Sequence, residues 1–353
     1  MQVTLANWRT PPFNRWAFHH VRELIPTADI PNDPASVRCL PLEARELDLE
    51  AFLRETDTDG MAIVRRGKLV FERYANGMTP ETPHILMSVS KSMLGLLIHE
   101  LGIDAGRRVA DIIPELQGTA YRDATVRHLL DMRAGIVWNE DYLATSGPIV
   151  EYRKASGWNP PGGPPSDLHS FYQALDEAEP HGGPFHYVSP NSDLLGWVIE
   201  RATGRRYADL MSERVWQPAG AERSAYITLD RLGAPRCAGG MCATLRDLAR
   251  VGLWMIESGR MEYLETEGSP EAWAGGDLAQ YFPGLPMRYR SQWYALHGDA
   301  PLVFGLGIHG QNLFVDRANR IVVAKVSSQA LPLDAGRIAL TMQAVSRLRT
   351  FLA

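Results

Sequence analysis

Two pairs of strand-like runs, one towards each end of the chain, constrain the fold more than any other feature. Met61–Val64 and Leu69–Tyr74 are short apolar and β-branched runs joined through Arg66-Gly67, which reads as a hairpin. Gln311–Val315 and Ile321–Val326 form a second hairpin across Asp316–Arg320. What lies between them reads as helices and loops. A sheet face must be buried, so the economical arrangement is one antiparallel sheet drawn from both ends, covered by helices, with a helical lobe inserted. This is an α/β (α+β) fold. It assigns 1–107 and 225–353 to the sheet lobe and 108–224 to the helical lobe, with the site in the cleft between them.

The middle of the chain carries several start and stop signals. Leu94, Leu97, Ile98 and Leu101 recur at helical spacing after Thr82-Pro83. Thr125 caps a short helix through Met132. Asp193–Ala202 reads as a helix closed by Gly204, and Thr244 with Asp247 opens another that ends near Ser258-Gly259. Arg337–Leu352 is an amphipathic terminal helix. Residues 138–166 are rich in Pro and Gly with little periodicity, which suits a lid or binding loop. Residues 265–303 read as irregular, and residues 1–35 as an irregular wrap over the surface.

Composition narrows the function classes. Hydrophobic residues are 45% of the 353, enough for a real core. The net charge of -5 gives no basic face for nucleic acid. The most apolar run, Met93–Ile98, is far too short to span a bilayer, and Met1–Pro11 shows no secretory pattern. Three widely spaced cysteines, Cys39, Cys237 and Cys242, make neither a disulfide framework nor a metal site. The expectation is a cytoplasmic enzyme or binding protein acting on a small molecule, without metal, cofactor, nucleic acid or membrane. A homodimer is compatible with it.

The sharpest chemical signal is Ser88-Val89-Ser90-Lys91, at the start of the first of these helices. Serine and lysine three apart share a helix face, and a lysine whose pKa is lowered by burial can take the serine's proton. The chain has only four lysines, so roughly 0.2 such pairs are expected by chance. The spacing alone is equally consistent with a capping serine beside a surface lysine. Tyr187-Val188-Ser189-Pro190-Asn191 places a phenol, a hydroxyl and an amide on a turn, fit for proton transfer or simply for capping. Gly305-Leu306-Gly307-Ile308-His309-Gly310 suggests a strand that a ligand or another backbone approaches closely, where a backbone N–H could bind an oxyanion. Taken alone, His309 reads more often as a structural hydrogen bonder.

In this order, the motifs resemble the serine β-lactamase and penicillin-recognising superfamily, specifically its class C-like branch of esterases, peptidases and amidases. The likeness is greatest to the nylon-oligomer amidases of that branch. It runs through Asn14-Arg15-Trp16-Ala17-Phe18, Leu86–Ser92, Asn139-Glu140-Asp141-Tyr142, Gly157-Trp158, Ala243–Gly252 and Gly307–Leu313. The resemblance implies a β-lactamase-like fold and hydrolysis of small carboxylic esters and linear amides through an acyl-enzyme. Ser88 would be the nucleophile, Lys91 its activating partner and Tyr187 the general acid/base. The backbone N–H groups of Ser88 and Ile308 would form the oxyanion hole. Asn191 would steady the Ser–Lys–Tyr network. Tyr142 and Trp158 would belong to a lid closing over the substrate, and His309 would be counted with them among the substrate-binding residues. Ile308-His309-Gly310 stands where a β-lactamase carries Lys-Thr-Gly, which argues against efficient β-lactam hydrolysis. The lid's mixed charges, Glu151, Arg153 and Lys154, do not suggest recognition of a free amino group. A D-amino-acid peptidase, a weak β-lactamase and a non-catalytic sensor of the same fold are the alternatives.

Overall fold

The computed structural model describes residues 2–164, 166–176 and 178–353. Both hairpins form where expected: β2 (Thr58–Arg65) with β3 (Lys68–Tyr74), and β10 (Gln311–Asp316) with β11 (Ile321–Ser327). They meet through β2 and β11, which pair antiparallel from Ile321 opposite Arg65 to Ser327 opposite Thr58. The two ends of the chain therefore share the centre of one sheet.

That sheet is wider than the hairpins alone predict. Its order is β3-β2-β11-β10-β9-β8-β7, with β7 (Met287–Arg290), β8 (Trp293–Leu296) and β9 (Leu302–Gly307). Residues 265–303, read as irregular, thus hold two strands and part of a third. Their turn, Ser291-Gln292, has φ of 48° and 69° at its two central residues, the type I′ geometry that usually recruits Asn or Gly. Without that signal the hairpin is silent in the sequence. The first residues also depart from expectation. Instead of wrapping the surface, they bury Trp8 and Phe18 and supply β1 (Thr27–Ile30). β1 starts a second, four-stranded sheet, β1-β5-β6-β4, with β4 (His84–Ile85), β5 (Ala225–Thr228) and β6 (Met241–Ala243).

The Leu245–Glu257 helix packs across β2, β10 and β11, and the Ala335–Leu352 helix also packs on β11. Behind the sheet's other half lies the Val89–Leu101 helix, which touches β8, β9 and β10. Every residue from Val89 to Ile98 is buried, so this helix is enclosed all round, unlike a surface helix. It ends at Gly102 in the left-handed conformation, φ 61°.

The Ser291-Gln292 turn locks this helix in place. Ser92 Oγ donates to Gln292 O at 3.0 Å, while Gln292 Nε2 donates to Leu129 O at 2.9 Å and Leu130 O at 3.0 Å. Gly95 is where helix and turn touch: a Cβ built there would lie 2.0 Å from Ser291 O. Helix propensity favours Gly95→Ala by about 1 kcal/mol. We expect the substitution to destabilise by at least about 2 kcal/mol instead, because backbone must move to admit the methyl group. Urea unfolding checks it, and a neutral or stabilising result would show that the contact yields.

Candidate active site

The Val89–Leu101 helix begins at Ser88, its N-cap residue, so the Ser88 N–H lies among those without an intrahelical acceptor. Met87, just before it, holds φ 45°, a left-handed conformation that costs a methionine on the order of 1–3 kcal/mol. The neighbours enforce it. Leu86 N–H donates to Met241 O at 2.8 Å, and Ser90 Oγ accepts from Met241 N–H at 3.1 Å. Gly307 at the end of β9 passes so close that a Cβ there would lie 2.7 Å from Leu86 O. The glycine-rich strand is therefore a site of close backbone approach, and it brings Ile308 to the edge of the cavity that Ser88 also lines.

Lys91 is one turn on and 1% exposed. Its Nζ lies 3.0 Å from Ser88 Oγ, 3.1 Å from Ser189 Oγ and 2.7 Å from Ala238 O. Burial is the main cause that lowers its pKa to about 7, with Arg236 adding repulsion and Glu140 and Asp193 partly opposing both. Near neutrality much of this lysine is an uncharged amine beside a serine hydroxyl. Tyr187 sits over it, with Lys91 Nζ 5.0 Å from the ring centroid, and lines the same cavity as Ser88. Burial drives the Tyr187 pKa far above the usual phenol value, so this hydroxyl keeps its proton.

Asn191 is not part of this arrangement. The helix expected at Asp193 begins at Ser189, which puts Ser189 and Asn191 two apart in its first turn. Residues so spaced do not share a face. Ser189 points to Lys91, whereas Asn191 Oδ1 accepts from the Tyr121 hydroxyl at 3.0 Å, away from the cavities. Ser189 therefore takes the place expected for Asn191. Its Oγ donates to Glu140 Oε1 at 2.5 Å, and its N–H to Glu140 Oε2 at 3.0 Å. Trp138 Nε1 donates to the same Oε2 at 2.6 Å. A continuous polar chain thus runs Ser88, Lys91, Ser189, Glu140. The carboxylate sits at a helix N-terminus, where the dipole favours negative charge. Nothing in the spacing of Glu140 announces this role, since it lies on a loop 49 residues before Ser189.

His309 is displaced from its expected place too. It is buried, with φ 62°, and its Nδ1–H donates to Gln329 O at 2.7 Å. Burial lowers its pKa to about 4, so it is neutral and serves as an internal hydrogen bonder packed on Phe18. It lines neither of the cavities at Ser88.

Two cavities meet at Ser88. The larger, about 300 Å³, is lined by Tyr187, Tyr142, Ile308 and Asn312, and by apolar groups such as Phe282 and Leu306. The smaller, about 30 Å³, lies towards Arg9, Arg153, Arg236 and Trp158. Tyr142 borders both. Trp158 is fixed rather than free to swing: its Nε1 donates to Thr228 Oγ1 at 3.1 Å, and its carbonyl accepts from Trp8 Nε1 at 3.0 Å. The stretch 138–166 is also not all loop, because Pro148–Ala155 is a helix opened by Gly147 and Pro148.

A β-lactamase family model matches residues 48–345. The chain is 37% identical to the 6-aminohexanoate-dimer hydrolase of Paenarthrobacter ureafaciens, over 93% of this chain and 88% of that one. A D-aminopeptidase of Cereibacter sphaeroides is 28% identical over 52% of this chain and 37% of its own length. Among solved structures, a candidate 6-aminohexanoate-dimer hydrolase from Bacillus anthracis superimposes with a TM-score of 0.90 and 26% identity, covering 99% of this chain and 97% of that one. A class C β-lactamase from Rhodobacter sphaeroides shares the fold at a TM-score of 0.56 and 16% identity, covering 85% of this chain and 96% of that one.

Proposed function

Because this chain belongs to the β-lactamase family of serine hydrolases, we propose that it cleaves small carboxylic esters and linear amides through an acyl-enzyme on Ser88. One observation carries the reading: a buried lysine, its pKa lowered to about 7, lies 3.0 Å from the hydroxyl of a serine that opens onto two cavities.

Ser88 Oγ attacks the substrate carbonyl while its proton passes to Lys91 Nζ. The carbonyl oxygen becomes an oxyanion facing the N–H groups of Ser88 and Ile308, each worth roughly 3 kcal/mol in comparable hydrolases. The carbonyl–heteroatom bond then breaks. The leaving oxygen or nitrogen takes a proton from Tyr187, which regains one from Lys91. Water, deprotonated by the same pair, attacks the ester on Ser88 and returns the enzyme. Asn191 and His309 have no step here, while Ser189 and Glu140 hold Lys91 in place. The three free cysteines support a reducing compartment and hence the cytoplasm. No helix among the described residues is long and apolar enough to cross a membrane.

An amide nitrogen must be protonated before it departs, whereas a nitrophenolate leaves without help. A hydroxyl that orients the amide N–H therefore matters for one substrate and not the other, and Tyr142 stands where both cavities meet. We expect Tyr142→Phe to lower turnover of the linear 6-aminohexanoate dimer at least tenfold more than that of p-nitrophenyl butyrate. Equal losses would remove Tyr142 from amide recognition. No turnover of either substrate by the wild type would refute the proposal.

A further inference from the structure

The smaller cavity is built unlike the larger one. Three guanidinium groups line it: Arg9, Arg153 (7% exposed) and Arg236 (5% exposed). Two of them pack on Trp158, Arg9 at 5.7 Å and Arg236 at 4.8 Å from its ring centroid. Glu140 also lines this cavity and Asp193 lies against Arg236, but both carboxylates already hold hydrogen bonds. Asp193 accepts from Arg236, from the Tyr152 hydroxyl at 2.5 Å and from Ala238 N–H at 2.6 Å. Glu140 accepts from Ser189 and Trp138.

Arg9 and Arg153 are left with neutral partners. Arg9 donates to Asn159 Oδ1 at 2.7 Å, and Arg153 to the carbonyls of Ala144 and Asp141, each at 3.1 Å. Among the described residues neither has a carboxylate partner, and the buried Nε atoms of Arg9 and Arg236 have no partner of any kind. Unpaired buried donors on charged groups are costly. A planar anion in the chamber would supply the negative charge that these groups lack, since guanidinium forks match carboxylates in shape. Burial and the repulsion of Arg153 and Arg236 lower the Arg9 pKa to about 9, a crowding that an incoming negative charge would relieve.

We propose that this chamber binds a carboxylate at the far end of the acyl group, so that the preferred substrates are half-esters or half-amides of short dicarboxylic acids. The side of the scissile bond follows from Tyr187. The leaving group takes its proton there, and Tyr187 lines the larger cavity but not the chamber. The portion that stays on Ser88 is the one that reaches the arginines. A chamber of about 30 Å³ has room for roughly two water-sized groups, which suits a carboxylate head and not a long chain.

The inference rests on the serine-hydrolase reading, and one panel separates the two. Monophenyl glutarate and methyl phenyl glutarate differ only in the distal charge, and phenyl butyrate tests the chemistry without it. Phenol release is followed for each with wild type, Ser88→Ala, Arg9→Met and Arg153→Met. We expect kcat/KM for monophenyl glutarate to exceed that for its methyl ester at least tenfold in the wild type. That ratio should fall towards one in each arginine variant. Ser88-dependent turnover of phenyl butyrate with a wild-type ratio at or below one overturns the subsite and leaves the hydrolase standing. No Ser88-dependent turnover of any of the three overturns the hydrolase. A preference that survives both arginine substitutions places the carboxylate elsewhere and overturns the assignment. If either variant fails to fold, the wild-type ratio and competitive inhibition by glutarate still decide.

Discussion

Ser88→Ala is expected to abolish the burst of p-nitrophenol from p-nitrophenyl butyrate and to lower kcat by about 10⁴–10⁶-fold, as loss of a serine nucleophile does in other hydrolases. The structural cost should be small. Lys91 keeps two of its three contacts, to Ser189 and Ala238, when the Ser88 hydroxyl is removed. Activity and stability are thus predicted to separate, with turnover collapsing and the melting temperature within a few degrees of wild type. A fluorophosphonate probe gives the same test without turnover, as one adduct on the wild type and none on the variant. Retention of more than about a hundredth of the activity, or an adduct on the variant, would mean that another residue carries the acyl group.

Lys91→Met has the second large effect, and pH reveals its cause. In the proposed mechanism the neutral amine is the base, so wild-type kcat/KM should rise with pH and level off above the Lys91 pKa of about 7. The methionine variant should be about 10²–10⁴-fold slower at the plateau and lack that rise. Stability should carry its own pH signature. The folded-state pKa is depressed to about 7 from the ordinary 10.5, so the unfolded chain binds more protons in that window. Wild-type stability therefore increases as pH rises from about 7 to 10.5, while below 7 the full cost of burying an ammonium is present. Methionine is of similar length and uncharged. Its stability relative to lysine should be greater at pH 6 than at pH 10, as measured by urea unfolding. An unchanged difference would show that Lys91 does not titrate in this window.

The legible parts of the site were the local ones. Ser88 and Lys91 are joined by a single helical turn, so their spacing in the chain is their spacing in space. Tyr187 announced itself less by spacing than through resemblance to a known motif. Ser189 and Asn191 show the limit. Choosing between them needs the rotational phase of a helix, and an error of four residues in its start turns the wrong side chain to the lysine. Glu140 and the three arginines come from three distant segments and meet only through tertiary packing. The hairpins of β2–β3 and β10–β11 were readable from their apolar, β-branched runs and their turns. β7–β8 was hidden by arginines within the strand and a Ser-Gln turn held open by Asp131, whose Oδ1 accepts from Ser291 N–H at 2.9 Å. The second sheet escaped because its strands are at most four residues long and drawn from three regions of the chain.

The pairing of β2 with β11 has a consequence for biosynthesis. A ribosome delivers Thr58–Arg65 long before Ile321–Ser327, its central partner in the sheet. Throughout that interval the early hairpin presents an unpaired edge, and the helix carrying Ser88 lacks the strands that bury it. The nascent enzyme is therefore inert until nearly all of it has emerged, and it is then most in need of a chaperone. Any truncation that removes β11 should yield an aggregating chain rather than a crippled catalyst.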